Sequence, residues 1–164
     1  MAPVNSVTSR LKAERGAELI EFALIFPLLL LVLVGIVDFG FLFQRYEVLT
    51  NATREGARMA VLPGYATADV RGRVCAYLTT AQLPTTGCPG APTNPVVTVT
   101  DVNIALGGGL APIQAKQIQL AYTHDFMFIG PIIGLMGGSW TNAKVITTQA
   151  TMRTEVQTPP PPIP

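Results

Sequence analysis

The chain has 164 residues, enough for one modest domain plus an anchor. Hydrophobic residues make up 49% of it and charged residues 13%, an imbalance that is high for a soluble protein and is concentrated between Leu19 and Phe43. A net charge of +1 with no dense basic patch argues against nucleic-acid binding, and one histidine with two cysteines argues against a protein-only zinc site or a histidine-based triad.

Three bases, Arg10, Lys12 and Arg15, precede the apolar stretch against one acid, Glu14. Phe22 to Val37 then carries no charge, Asp38 interrupts, and Phe39-Gly40-Phe41-Leu42-Phe43 extends the run. Together this is about the 20 residues a helix needs to cross a ~30 Å hydrocarbon core. Pro27 and Gly35 are its only breakers before Asp38, and proline is tolerated in membrane helices. A buried core helix is the bland alternative, but this chain offers few neighbouring helices to bury it. A cleavable secretory signal would need a small-x-small site directly after the run. Here Asp38, bulky aromatics and Arg45 follow instead, so an uncleaved anchor fits better. The basic flank keeps the N-terminus in the cytoplasm and places the C-terminal bulk outside it.

The junction before the span reads Arg15-Gly16-Ala17-Glu18-Leu19-Ile20-Glu21-Phe22. Glu21 is its odd residue. An acid at the centre of a membrane helix costs up to ~2.5–3.5 kcal/mol, and less near an interface, so such a carboxylate usually has a partner. Read by itself, Glu21 could simply snorkel out of lipid.

The pattern of a glycine, a four-residue gap, Glu-Phe and an apolar helix resembles the type IV prepilin cleavage site. The resemblance implies that a membrane-embedded aspartyl peptidase cuts between Gly16 and Ala17. Glu21 and Phe22 then become the fifth and sixth residues of the mature chain. It also implies that Glu21 pairs with the new N-terminal amine of a neighbouring subunit. The physics agrees: an α-amine with a pKa of ~7.7–8 is largely charged at neutral pH, and burying either charge is tolerable only beside its partner.

A narrower resemblance follows. Glu21-Phe22-Ala23-Leu24-Ile25-Phe26-Pro27-Leu28-Leu29, Gly35-Ile36-Val37-Asp38-Phe39-Gly40 and Arg54-Glu55-Gly56-Ala57-Arg58-Met59-Ala60 are similar to the TadE-like pseudopilin family. Ala150-Thr151-Met152-Arg153-Thr154-Glu155 resembles that family's closing strand. The match is strong over about Gly16 to Val61 and weak between Tyr65 and Gln114. At Asp38 the family pattern more often has glutamate. TadF-like and TadG-like proteins share parts of the same pattern. The resemblance implies a minor component of a tight-adherence (Flp-type) pilus assembly in a bacterium.

Past the span, Tyr46, Leu49, Ala52, Gly56 and Ala60 recur at helical spacing, with Glu47, Asn51, Arg54 and Arg58 opposite. Ala52, Gly56 and Ala60 form a ridge of small side chains suited to close packing, inside the molecule more often than between molecules. Arg54 and Arg58 read as a solvated face or ion-pair partners. Pro63-Gly64 ends the helix. From Ala17 to Val61 it would run roughly 65 Å at ~1.5 Å per residue.

Thr67 to Leu83 predicts a second helix, with Thr67 as N-cap and Val70, Val74, Tyr77, Leu78 and Leu83 as apolar positions. Pro84 to Pro95 reads as a loop. Val96 to Ile104 predicts a strand, with Val97, Val99 and Thr100 as β-formers. Gly107-Gly108-Gly109 predicts a turn; no Lys-Ser/Thr follows to make it a phosphate cradle. Lys116 to His124 predicts a second strand with Ile118, Leu120 and Tyr122 on one face, and Lys144 to Glu155 a third. Phe126 to Met136 is an apolar loop or short helix, packing on the sheet or touching the membrane surface and too short to span. The tail from Thr158 to Pro164 should be extended.

Cys75 and Cys88 lie after the span, hence in an oxidising periplasm, and are expected to form a disulfide. A reactive or metal-binding pair and a pair of free buried thiols are the alternatives. His124-Asp125 is the only hint of a catalytic pair, but neighbours in a strand point to opposite faces, so a structural or surface histidine is the better reading.

The expected fold is therefore α+β: a long N-terminal transmembrane helix continuing into a small exterior domain with a short helix and about three antiparallel strands. The expected parts are a prepilin-type leader over 1–16, a transmembrane helix over 17–43, an extracytoplasmic pilin-like domain over 44–157 and a proline-rich tail over 158–164. The expected function is structural, without catalytic residues, metal or cofactor. The expected partners are other pilin-like subunits, a prepilin peptidase and the bacterial inner membrane. The alternative is an unprocessed, signal-anchored periplasmic binding module or enzyme.

Overall fold

The computed structural model describes residues 5–88, 93–106, 108, 112–135, 137–138 and 143–154, without the side chains of 5–15, 17 and 135. Three helices, α1 (Asn5–Ala60), α2 (Thr67–Thr80) and α3 (Ile129–Leu135), accompany three strands, β1 (Val96–Ile104), β2 (Ile113–Asp125) and β3 (Ala143–Arg153). The class is α+β, as the sequence implies. The chain divides into two compact units, the first taking Met1–Gly40 with Phe126–Asn142, the second Phe41–Asp125 with Ala143–Pro164.

In the first unit, α1 begins at Asn5, so the helix extends well before the expected start at Ala17. There is no proline or glycine between Asn5 and Arg15 to stop a helix. Leu, Ala, Val and Ile then carry α1 through Pro27. Its side chains are turned outward: Leu24 is 74% exposed and Ile36 68%. Asp38 is the exception and is buried. The same unit holds α3, the short-helix outcome for the apolar segment.

The second unit has its own core. An antiparallel sheet in the order β1-β2-β3 is covered on one face by the end of α1 and by α2. Val97 pairs with Leu120, Val99 with Ile118, and Leu120 with Thr148 across the sheet. Ile118, Leu120 and Tyr122 are all buried, as their alternation predicts. Strand β2 is longer than expected at both ends, because backbone pairing reaches Ile104–Ile113 on one side and Asp125–Ala143 on the other. Two residues before β1, Asn94 bonds to Thr123 of β2 with its side chain. Its Nδ2 donates to the Thr123 carbonyl (3.1 Å) and its Oδ1 accepts from the Thr123 N–H (2.9 Å).

The α1 ridge packs inside the molecule. Leu49, Ala52, Ala57 and Ala60 are buried in the core, and Gly56 lies against Val74, Val70 and Ile118. Tyr46 departs from the expected pattern: it is 49% exposed, and Thr53 occupies the buried face instead. The Thr53 hydroxyl sits 2.7 Å from both the Leu49 carbonyl and the Thr148 hydroxyl, which satisfies it in the core. Glu47, Asn51, Arg54 and Arg58 are exposed, and Arg58 lies 3.9 Å from Glu55. Glu55 in turn holds Arg73 of α2 at 2.8 Å. After Ala60 the chain turns through Pro63 and Gly64, whose φ of +89° suits glycine.

Helix α2 starts one residue differently from expectation. The N-cap is Ala66, and Thr67 is the first helical residue. The Asp69 carboxylate accepts from the Ala66 N–H at 2.8 Å and so holds this end in place of a threonine cap. The helix stops at Thr80, short of the expected Leu83. Leu83 N–H reaches the Leu78 carbonyl (3.0 Å) and Gln82 N–H the Thr79 carbonyl (3.0 Å), with Gln82 at φ +57°. This is a Schellman stop, with buried Leu83 as its apolar contact. Tyr77 faces outward, and Cys75 takes a core position. Cys75 and Cys88 are joined, with sulfurs 2.07 Å and Cα atoms 5.6 Å apart. Closing a loop of this length is worth ~3 kcal/mol in the chain-entropy model. Residues 89–92, Gly107, Gly109 and the tail from Thr158 lie outside the described residues, so the glycine turn is seen only at Gly108.

Candidate functional site: the junction, the apolar helix and Asp38

Gly16 and Ala17 both lie within α1, with the peptide bond between them inside helical backbone. Glycine weakens a helix interior by roughly 0.5–1 kcal/mol relative to alanine, so Gly16 is a weak point of α1. One helical turn further on, Glu21 is exposed, and its carboxylate has no ion-pair or hydrogen-bond partner among the described residues. Phe22 is 62% exposed and stacks on Phe26 with ring centroids 5.3 Å apart. This end of α1 thus presents two exposed acids, Glu18 and Glu21, at the foot of a continuous apolar surface.

Glu18–Ala60 is the one helix among the described residues that is long and apolar enough to cross a membrane. Its most apolar part is not buried at all within the molecule.

Asp38 is placed very differently from Glu21. Its side chain is 1% exposed, and both carboxylate oxygens accept from successive backbone N–H groups. Oδ1 takes Met127 N–H at 3.3 Å; Oδ2 takes Phe128 N–H at 3.0 Å and Ile129 N–H at 2.8 Å. Phe39, one residue on, meets Phe126 edge-on at 6.1 Å. The apolar segment that leads into α3 is therefore held to α1 by one carboxylate and one ring contact. In the sequence Asp38 reads as an interruption of the apolar run, at a position where the TadE-like pattern more often has glutamate, and no partner is named for it. The signal was present, because a lone acid in an apolar helix calls for a named partner. The partner is backbone, which carries no sequence signature.

In the second unit, Arg45 and His124 meet. The guanidinium can only donate, so His124 Nδ1, at 2.6 Å, is the acceptor and is unprotonated. His124 is buried, whereas its neighbour Asp125 is exposed on the other face of β2, so the two do not form an orienter–base couple. Tyr122, also buried, has its ionisation pushed up from the ordinary value of 10.0. Burial is the main cause; the Arg45 charge opposes it and Asp125 adds to it. Among the described residues there is no cluster of three or more His, Cys, Asp or Glu that could hold a metal.

No curated protein and no solved structure matches the chain. The family model for TadE-like protein does, over residues 16–58. That segment begins at Gly16, takes in Glu21, Phe22 and Asp38, and ends at Arg58 two residues before α1 does. Over residues 16–58, from the junction to the last turn of its long helix, the chain is similar to TadE-like protein.

Proposed function

We propose that the chain is a minor pilin or pseudopilin, a structural subunit of a tight-adherence (Flp-type) pilus assembly. In this reading residues 17–43 anchor it in a bacterial inner membrane, with the N-terminus cytoplasmic and residues 44–157 on the periplasmic side. A prepilin peptidase removes residues 1–16. The mature subunit then joins other pilin-like subunits through the apolar face of α1, by helix packing and by pairing of Glu21 with a neighbour's Ala17 amine. The chain catalyses no reaction and is itself the peptidase's substrate.

One coincidence carries the reading. The TadE-like match opens at Gly16, the residue that the Gly-x4-Glu-Phe spacing marks as the end of a leader. The helix that follows leaves its apolar side chains exposed, as a subunit awaiting lipid or other helices would. The test is mass spectrometry of the membrane fraction from a host that has the peptidase. A mature chain starting at Ala17 is expected. A chain that retains Met1 to Gly16 there overturns the proposal.

A further inference from the structure

The stretch Phe126-Met127-Phe128-Ile129-Gly130-Pro131-Ile132-Ile133-Gly134 contains no side chain that carries charge or hydrogen-bonds. Met127 is 62% exposed and Phe128 40%. Apolar surface left open in this way marks a contact with something apolar. It belongs to the same compact unit as the apolar part of α1, where Ile36, Val37 and Phe39 are also exposed. Asp38 fixes its level. Counted from Phe22, Asp38 stands about 24 Å along the helix at ~1.5 Å per residue, which falls short of the far side of a ~30 Å hydrocarbon core.

The hydrogen bonds indicate which apolar medium this is. The turn into α3 would leave the N–H groups of Met127, Phe128 and Ile129 open, and Asp38 would leave a carboxylate open. In water neither needs the other. In hydrocarbon each unsatisfied polar group costs several kcal/mol, and non-helical backbone is tolerated only where protein satisfies it. Here one carboxylate accepts all three N–H groups and is itself closed off from solvent.

We propose that Phe126–Gly134 is a membrane-inserted collar, seated at the boundary of acyl chains and headgroups beside the span and held there by Asp38. The occupant of its exposed face is lipid. The inference rests on α1 being a membrane span, and it adds a second, non-spanning element that sets the depth of the subunit in the bilayer.

The experiment uses full-length protein in phosphatidylcholine vesicles whose chains carry bromine at either shallow or deep positions. Trp140→Phe removes the native indole. Adding Phe128→Trp should give emission that is lost with shallow bromines and is insensitive to aqueous iodide. A parallel Leu30→Trp protein reports the span and should lose emission with deep bromines. Quenching of the Leu30→Trp protein without quenching of the Phe128→Trp protein by any brominated lipid overturns the collar and leaves the span standing. Failure of both overturns the span, and the collar with it. Protection of the Phe128→Trp indole from both bromine and iodide would mean that a second copy covers the face, which also overturns the proposal. Asp38→Ala should shift the Phe128→Trp indole from lipid quenching toward iodide quenching; no shift removes Asp38 from the inference. Should these variants fail to fold, a lipid bearing a diazirine on its acyl chain is applied to the unaltered protein. Labelling of the Met127–Phe128 peptide is expected, and its absence overturns the collar.

Discussion

Arg45 of α1 and His124 of β2 are 79 positions apart in sequence and meet at 2.6 Å, guanidinium to Nδ1. The bond ties the last third of the long helix to the central strand of the sheet and lies beside Tyr122. Its chemistry requires a neutral ring, because a guanidinium has no lone pair to accept from an imidazolium. The residue that sequence alone offered as half of a catalytic hint is therefore a buried acceptor.

Removing that acceptor should be costly. His124→Ala leaves a part-buried guanidinium without it, and an unsatisfied buried group costs about 1–3 kcal/mol. Chemical denaturation of the full-length protein in detergent should show a loss of that order. The double variant Arg45→Met/His124→Ala should lose less than the sum of the single variants, since the stranded charge is gone. Additive losses would show that the two side chains contribute independently.

Gly56 permits a close approach of α1 to α2. A Cβ built there would lie 2.7 Å from Cγ2 of Val74, and valine has no flexible end to swing away. Gly56→Ala should therefore destabilise by about 1–3 kcal/mol, the usual range for overpacking. Val74→Ala in the same chain should recover part of the loss. Gly72 is the control: it lies in α2 with open space around its Cα, so Gly72→Ala should instead gain up to about 1 kcal/mol of helix propensity. Thermal melts of the four proteins decide the matter, and equal behaviour of the two glycine variants would remove the packing explanation.

Tyr122 predicts an alkaline limit. Burial raises its ionisation above 10.0 in the folded state. The folded form therefore favours the neutral phenol, and this contribution is complete below about pH 10, the unfolded value. It is lost as pH rises through the higher folded value. Tyr122→Phe should flatten the fall in stability above that point while changing little at neutral pH. Melting curves across alkaline pH, read beside phenolate absorbance, test this. A parallel fall in both proteins would place the titrating group elsewhere.

Much of this architecture is legible in the residues, and what is not has a physical reason. The alternation of Ile118, Leu120 and Tyr122 set the buried face of β2 because period two leaves no other choice. The Ala52-Gly56-Ala60 ridge announced close packing, and the structure supplies Val70 and Val74 as the facing surface. The strand ends were missed because backbone pairing continues through Gln114 and Asp125, residues of low strand propensity. Spacing places Tyr46 and Tyr77 among the apolar positions of their helices, yet both face outward, because an amphipathic ring fits either side of a helix and periodicity cannot choose between them. Asp38 was the deepest miss: its partners are three N–H groups some ninety residues away, and backbone donors exist at almost every position.

Glu21 and Asp38 lie on the same helix, and their surroundings predict opposite phenotypes. Asp38 is satisfied within the chain, whereas Glu21 is exposed and has no partner among the described residues. If the partner of Glu21 is the Ala17 amine of a neighbouring subunit, Glu21→Ala should be cut by the peptidase as efficiently as the parent. The mature protein should then accumulate in the membrane while its incorporation into sheared surface fibres falls by most of its amount. Glu21→Asp keeps the charge but shortens its reach and should fall between the two. Immunoblots of membrane and sheared-fibre fractions, with the mature N-terminus read by mass spectrometry, separate the steps. Normal incorporation of Glu21→Ala would leave the carboxylate a lipid-interface residue only. Loss of cleavage in the same variant would move its role from assembly to recognition by the peptidase.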